Sequence, residues 1–213
     1  MSDLVQFTLL AAGSLFVIVD PVATVPAFLA MTPSDTPAQR VKMARLACVV
    51  SAIVLLTFAV AGRHIFRFLG ITMPAFQIAA SIVLLIVALD MLRAMRSRVQ
   101  ETDEETVAGA EKTDIAITPL AVPMLAGPGA ISTAILLQNQ ARGIAQHVLL
   151  YLVIVGVCFA SYLILRFAAL GTRFLNPIAM KILSRVMGLL LAAVAIQFML
   201  DALKDLKLQL FGP

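Results

Sequence analysis

Apolar residues fill the chain in six long runs that are separated by shorter polar segments. A helix that crosses the hydrocarbon core of a bilayer needs about 20 predominantly apolar residues, and each run reaches that range. The pattern predicts six transmembrane helices, near residues 4–30, 46–66, 71–92, 115–138, 148–170 and 183–201. The N-terminal stretch has Asp3 and neither Lys nor Arg, so we expect the first run to stay in the membrane rather than be cleaved as a signal peptide.

Two of these runs contain residues that begin a new helix in the middle of an apolar stretch. The first run has Asp20-Pro21, and the fourth has Gly127-Pro128-Gly129 at a distance of 107 residues. A broken helix inside lipid is tolerated only where it lines a cavity or packs on protein, because lipid cannot satisfy free backbone groups. Matched breaks in two halves of a membrane protein indicate a transport site. We therefore expect helices 1 and 4 to be broken near the bilayer midplane.

The chain divides at its long polar connection, Arg93 to Asp114, which is most simply a solvated cytoplasmic linker. The expected organisation is a first three-helix repeat at 1–98, the linker at 99–113, and a second three-helix repeat at 114–213. Because each repeat has an odd number of spans, the second crosses the membrane in the opposite sense. The predicted fold class is an all-α membrane protein built from two inverted-topology three-helix repeats.

Composition and the placement of charges also indicate a membrane protein. The chain is 61% hydrophobic and 13% charged, with a mean hydropathy of +1.00. Its net charge of +4 comes from basic residues that cluster in loops, as topology signals do, and we expect no nucleic-acid partner. One set of alternate loops holds Arg40, Lys42, Arg45, Arg93, Arg96, Arg98, Lys112, Arg173, Lys181 and Arg185. The other set holds Arg63, Arg67, Arg142, Lys204 and Lys207.

The larger set of basic residues is expected in the cytoplasm, so both termini are predicted to face the periplasm of an inner membrane. Cys48 and Cys158 fall inside predicted spans, where packing is a better interpretation than a disulfide or a metal site. We expect no resident cofactor. A bundle of six short helices is compatible with a homo-oligomer.

The two breaks have a chemistry that suits a small polar solute. Asp followed by Pro is an N-cap and first-turn pair, and the glycine before Pro128 allows the turn that precedes a second half-helix. Each new half-helix begins with free N–H groups and a partial positive charge, which favours an anionic group. The neighbouring side chains are small or hydroxylated. The predicted substrate site comprises Asp20, Pro21, Ala23, Thr24, Gly127, Pro128, Gly129, Ala130, Ser132 and Thr133.

Asp20 is the acidic residue predicted near mid-membrane, where a carboxylate costs about 3 kcal/mol on insertion scales. It is interpreted as a counter-ion to a substrate ammonium, or as the site of a coupling proton or sodium ion. The alternative is that Asp20 only caps a kinked helix. Asp90 is a second candidate for ion coupling, whereas His64 and His147 are interpreted as surface histidines in short loops.

The residues around both breaks resemble a known family. Asp20 to Phe28, read as DPVATVPAF, resembles the Asp/Asn-Pro-x-Gly-x-x-Pro-x-Phe signature of the MarC family of integral membrane proteins. Pro119 to Ser132, read as PLAVPMLAGPGAIS, closely resembles that family's second signature, and Ala88–Leu92 and Arg185–Ala193 are also similar. Ala23 departs from the pattern, since many members have glycine there.

The resemblance implies a six-span inner-membrane protein whose better-studied relatives move small neutral amino acids such as glycine and alanine. It also implies that the segments around Asp20–Thr24 and Gly127–Thr133 hold the substrate. The predicted function is a secondary transporter of such solutes that works by alternating access. The alternatives are a non-transporting scaffold or assembly factor, and an exporter of an unrelated small solute. An intramembrane enzyme is disfavoured, because no histidine in mid-span accompanies Ser132 or Asp20 to activate a nucleophile.

Overall fold

The computed structural model describes residues 3–33, 35–93, 116–171 and 177–211, and the regular elements within these ranges are helices. The predicted linker at 99–113 lies outside the described residues. The helices are α1 (Asp3–Val19), α2 (Pro21–Met31), α3 (Pro37–Leu69), α4 (Met73–Arg93), α5 (Ala116–Leu125), α6 (Pro128–Gln140), α7 (Gly143–Gly171) and α8 (Pro177–Phe211).

Within the described ranges, five helical stretches are long and apolar enough to cross a membrane. The first is α1 together with α2, and a sixth is present if α5 and α6 form one span, which is bent by 56°. These stretches overlap the six predicted runs. The α3 and α7 helices extend beyond them, so His64 and His147 lie in helices and not in the predicted short loops. Large apolar side chains such as Val17 and Phe167 are about 70% exposed, at 72% and 70%. Such side chains suit a surface that contacts lipid rather than water.

The ends of α3 follow from local sequence signals. Thr36 accepts a hydrogen bond from the Gln39 N–H, while the Gln39 side chain accepts one from the Thr36 N–H, and Pro37 occupies the first turn. This reciprocal pair satisfies donors that the helix leaves free. At the other end Gly70 has a φ of 64°, and the N–H of Ile71 returns to the carbonyl of Phe66 at 3.0 Å. The left-handed glycine thus ends the helix.

The core lies between helices that are distant in sequence. The α3 helix packs against α5, α6 and α7, and α7 also packs against α1 and α2. The α4 helix packs against α8, and α2 also contacts α8. Alanines such as Ala44, Ala47 and Ala59 line the buried face of α3, where small side chains let the helices approach closely.

The α5 segment is less regular than the hydropathy pattern predicts. Thr118 and Val122 have extended backbone angles inside it, with φ near −130° at both, at −128° and −131°. Each precedes a proline, Pro119 or Pro123, and a residue before proline is pushed out of the helical region by a steric clash. The α5 segment is therefore irregular before the bend at Gly127.

Candidate functional site

Asp20 lies between α1 and α2 and joins them through a single left-handed residue. Its φ is 42° and its ψ is 64°, and among the described residues other than glycine it alone has a positive φ. Aspartate is one of the few residues that adopt this conformation at modest cost. Its N–H still donates to the carbonyl of Phe16, so α1 is hydrogen-bonded up to the break.

The Asp20 carboxylate caps α2. Its Oδ1 accepts a hydrogen bond from the Ala23 N–H at 3.1 Å, and its backbone carbonyl accepts one from the Thr24 hydroxyl at 3.0 Å. Pro21 takes the first helical position, where its missing N–H does no harm. The residue is exposed on the surface of the helix bundle, next to the start of α2.

The α6 helix, like α2, begins with a proline. The residue before that proline is a glycine instead of an acidic residue. Gly127 is extended, with a φ of −75° and a ψ of 171°, and Pro128 follows at the first helical position. The first α-helical hydrogen bond joins the Ile131 N–H to the Gly127 carbonyl at 2.9 Å. No side chain caps this N-terminus. The N–H groups of Gly129 and Ala130 precede that bond and lack helical partners.

Gly127 is a glycine for steric reasons. A Cβ atom there would lie 2.5 Å from the backbone carbonyl oxygen of Pro123, closer than real Cβ atoms come. The N–H of Ala126 donates to the Ala121 carbonyl at 2.8 Å, which closes the turn. The bend between α5 and α6 therefore depends on the absence of a side chain at position 127.

The fold places the end of α1 next to the start of α6. A Cβ atom placed on Gly129, two residues after Gly127, would lie 3.2 Å from Cγ2 of Ile18, two residues before Asp20. The α1 helix contacts α6, and α2 contacts α5. Because Gly129 has no side chain, the end of α1 packs against the backbone of the first turn of α6.

The remaining predicted site residues lie on both sides of the breaks and differ in accessibility. The buried members are Pro21, Thr24, Gly127, Pro128 and Ala130, the half-buried members are Gly129, Ser132 and Thr133, and the exposed members are Asp20 and Ala23. The arrangement places an accessible carboxylate at one break and uncapped N–H groups at the other.

Asp90, the second candidate for ion coupling, is half-buried on α4, away from either break in sequence. Near it, the backbone of α4 is closely approached by α8. A Cβ atom on Gly188 would lie 3.0 Å from the Ala88 carbonyl oxygen and 3.1 Å from the N atom of Leu92. The glycine therefore serves close packing of these two helices.

One contact that supports the fourth span is absent from the sequence predictions. Oγ of Ser51, buried on α3, donates to the Ala47 carbonyl at 2.8 Å and also lies 3.4 Å from the carbonyl oxygen of Ala121 in α5. Two prolines four residues apart, Pro119 and Pro123, are the signal that could have indicated an irregular α5 in need of outside hydrogen-bond partners.

The chain is similar to a family of integral membrane proteins, both by a family model and by individual relatives. The sequence model of a family described as "MarC family integral membrane protein" matches residues 5–207. The UPF0056 membrane protein YvbG of Bacillus subtilis is 34% identical over 194 residues, which cover 91% of this chain and 92% of that protein. The UPF0056 membrane protein YhcE of Escherichia coli is 30% identical over 192 residues, 90% of this chain and 89% of that protein. No solved structure matches the chain.

Proposed function

The chain belongs to the MarC family of integral membrane proteins, and on that premise we propose that it is a secondary transporter of small neutral amino acids. The observation that carries the proposal is the contact between the two breaks. Ile18, two residues before the exposed Asp20, packs against Gly129 in the uncapped first turn of α6. A negatively charged carboxylate near one helix start and a partial positive charge at the other suit a zwitterion.

We also propose that the two halves form an inverted repeat, and the helix contacts support this. If α1, α2, α3 and α4 correspond to α5, α6, α7 and α8, the contact of α3 with α5 matches that of α7 with α1. The contact of α3 with α6 matches that of α7 with α2, and the contact of α4 with α6 matches that of α8 with α2. Under this correspondence the α3–α7 contact maps onto itself, and so does the α4–α8 contact.

The buried faces of the helices give independent support. Buried positions of α4 recur in α8 at the spacing of 107 residues that separates the breaks. The pairs are Ser81 and Gly188, Leu84 and Leu191, and Ala88 and Ala195. The same spacing relates buried positions of α2 and α6. These pairs are Pro21 and Pro128, Thr24 and Ile131, Ala27 and Ala134, and Ala30 and Leu137.

The difference between the two breaks suggests how a zwitterion would bind. The α2 N-terminus already has the Asp20 carboxylate against it, so a second carboxylate would be repelled there. The α6 N-terminus has no such cap, and its Gly129 and Ala130 N–H groups can donate to a substrate carboxylate. In this arrangement the substrate ammonium lies toward Asp20. The small side chains of Ala23 and Ala130 leave room for a small polar solute and give a large aromatic one little to bind.

Alternating access would follow from movement of one repeat against the other around this site. The Asp20 carboxylate is the proposed site of a coupling proton or sodium ion, with Asp90 as the second candidate. The proposed location is the bacterial inner membrane. The protein is proposed to have no catalytic activity and no resident cofactor.

Uptake into proteoliposomes tests the proposal. Purified full-length protein should accumulate radiolabelled glycine or alanine above empty vesicles when a proton or sodium gradient is imposed. The same amino acids should raise its melting temperature, because a ligand at 100 times its Kd adds about 2.7 kcal/mol of stability. Absence of both uptake and thermal stabilisation across the neutral amino acids would refute the proposal.

A further inference from the structure

A second polar site lies away from the two breaks, at the end of the bundle where α3 finishes and α6 passes into α7. A cavity of about 390 Å³ opens there. Its polar lining consists of Arg63, His64, Arg67, Gln138, Asn139 and His147. The volume is within the range of small-molecule sites, which is roughly 300–1,000 Å³.

The cavity is strongly basic. Arg63 and Arg67 are one turn apart on α3 and therefore face the same side, where their like charges repel each other. None of the described residues that line the cavity is acidic. An anion between the two guanidinium groups would convert this repulsion into attraction.

The basic groups are held by neighbouring helices. Nη1 of Arg63 donates to Oδ1 of Asn139 at 3.1 Å, which ties α3 to the end of α6. Nε2 of Gln138 donates to the hydroxyl of Tyr151 at 3.0 Å, which ties α6 to α7. Nδ1 of His147 lies 2.8 Å from the Gly143 carbonyl oxygen, which holds the ring against the first turn of α7.

The polarity of the cavity changes along its depth. Its apolar lining includes Ala59 and Val60, which lie one turn closer to the middle of α3 than Arg63 and His64. On α6, Ile135 likewise lies one turn closer to the helix middle than Asn139. The cavity is therefore apolar toward the centre of the spans and basic at their ends, where lipid phosphates lie.

We propose that this cavity binds a phosphate group between Arg63 and Arg67 at the membrane boundary. Guanidinium groups recognise phosphate through paired charge-assisted hydrogen bonds. Two sources supply such a group, an anionic lipid headgroup and a soluble phosphate ester. The site is separate from the proposed substrate site and does not depend on transport.

The test measures binding of defined probes to the purified full-length protein in detergent, by thermal shift and native mass spectrometry. The probes are phosphatidylglycerol, phosphatidylcholine, glycerol 3-phosphate and inorganic phosphate. We expect phosphatidylglycerol or glycerol 3-phosphate to bind, and its Kd to rise at least tenfold in Arg63→Gln and in Arg67→Gln. Arg45→Gln, on an exposed position at the other end of α3, is the matched control and should bind as the parent does.

Each outcome has a defined meaning. Binding of phosphatidylglycerol alone assigns the site to a lipid headgroup, and equal binding of glycerol 3-phosphate assigns it to a soluble ester. Binding that weakens as salt is raised supports the ionic contact in either case. The proposal is overturned if no phosphate probe binds, or if both folded variants keep a Kd within twofold of the parent.

Discussion

Ile18 and Gly129 are packed closely against each other: a Cβ atom on Gly129 would lie 3.2 Å from Cγ2 of Ile18. The two residues come from opposite halves of the chain, from the end of α1 and the first turn of α6. A side chain at position 129 would therefore require the Ile18 side chain to shift. The contact therefore couples the geometry of one break to that of the other.

Gly129→Ala is expected to lower transport and the melting temperature, because the new methyl group must displace Ile18. The measurements are proteoliposome uptake and thermal denaturation. Gly13→Ala on α1 is the control: nothing lies within 4 Å of a Cβ atom there. Replacing a glycine inside a helix by alanine at such a site should be neutral or add about 0.5–1 kcal/mol.

The double variant Gly129→Ala with Ile18→Ala separates packing from substrate contact. If the methyl group acts through Ile18, removing that side chain should restore part of the lost melting temperature. Loss of uptake that persists while stability recovers would place Gly129 in direct contact with the substrate. Additive damage in both measurements would contradict the packing argument.

Asp20→Asn and Asp20→Ala should give different results. Asparagine caps a helix about as well as aspartate and tolerates a left-handed backbone, so Asp20→Asn should fold normally. If the carboxylate holds the coupling ion, this variant should lose uptake driven by an ion gradient but keep exchange of preloaded substrate. Asp20→Ala also loses the cap on Ala23 N–H, at about 1 kcal/mol, and should melt earlier.

The binding-induced thermal shift distinguishes the remaining roles of Asp20. If the carboxylate pairs with the substrate ammonium, uptake, exchange and the thermal shift should all decrease in Asp20→Asn. Full concentrative uptake by Asp20→Asn at unchanged apparent affinity would leave the carboxylate with capping alone.

Gly127→Ala is expected to destabilise the protein by about 1–3 kcal/mol, a typical cost of overpacking. The added Cβ atom would meet the Pro123 carbonyl oxygen at 2.5 Å, and a backbone atom cannot rotate away as a side chain can. Gly156→Ala on α7 has nothing within 4 Å and serves as the control. Equal melting temperatures for the two variants would contradict this account of the bend.

Gly188→Leu should separate α4 from α8, because even a Cβ atom at this position comes within 3.1 Å of backbone and side-chain atoms of Leu92. We expect a lower melting temperature and little uptake. Gly171→Leu, at the end of α7 with open space around it, is the control of the same size. A melting temperature for Gly188→Leu equal to that of the control would argue against close packing there.

Both termini are expected to face the periplasm, because the basic residues of alternate loops favour that orientation by ten to five. A reporter that is active only in the cytoplasm, fused after Pro213, should remain silent. The same reporter inserted next to Asp35, in the connection between α2 and α3, should be active. The reverse pattern would invert the topology without affecting the repeat.

The sequence alone determined those features that depend on neighbouring residues. The apolar runs predicted the membrane-spanning stretches, because a bilayer requires a certain length of helix. Asp20-Pro21 and Gly127-Pro128 predicted where α2 and α6 begin, because a cap and a first-turn proline act within a single helical turn. These signals need no information about the rest of the chain.

Only the tertiary structure decided which surfaces meet. The partner of Gly129 is Ile18, and the carbonyl of Ala121 in the irregular α5 lies beside Ser51; both pairs join residues from opposite halves. The basic cavity likewise forms because Arg63 of α3 meets Asn139 of α6. Contacts of this kind depend on how helices cross and on how small their facing residues are. The hydropathy of one helix does not show which other helix it packs against.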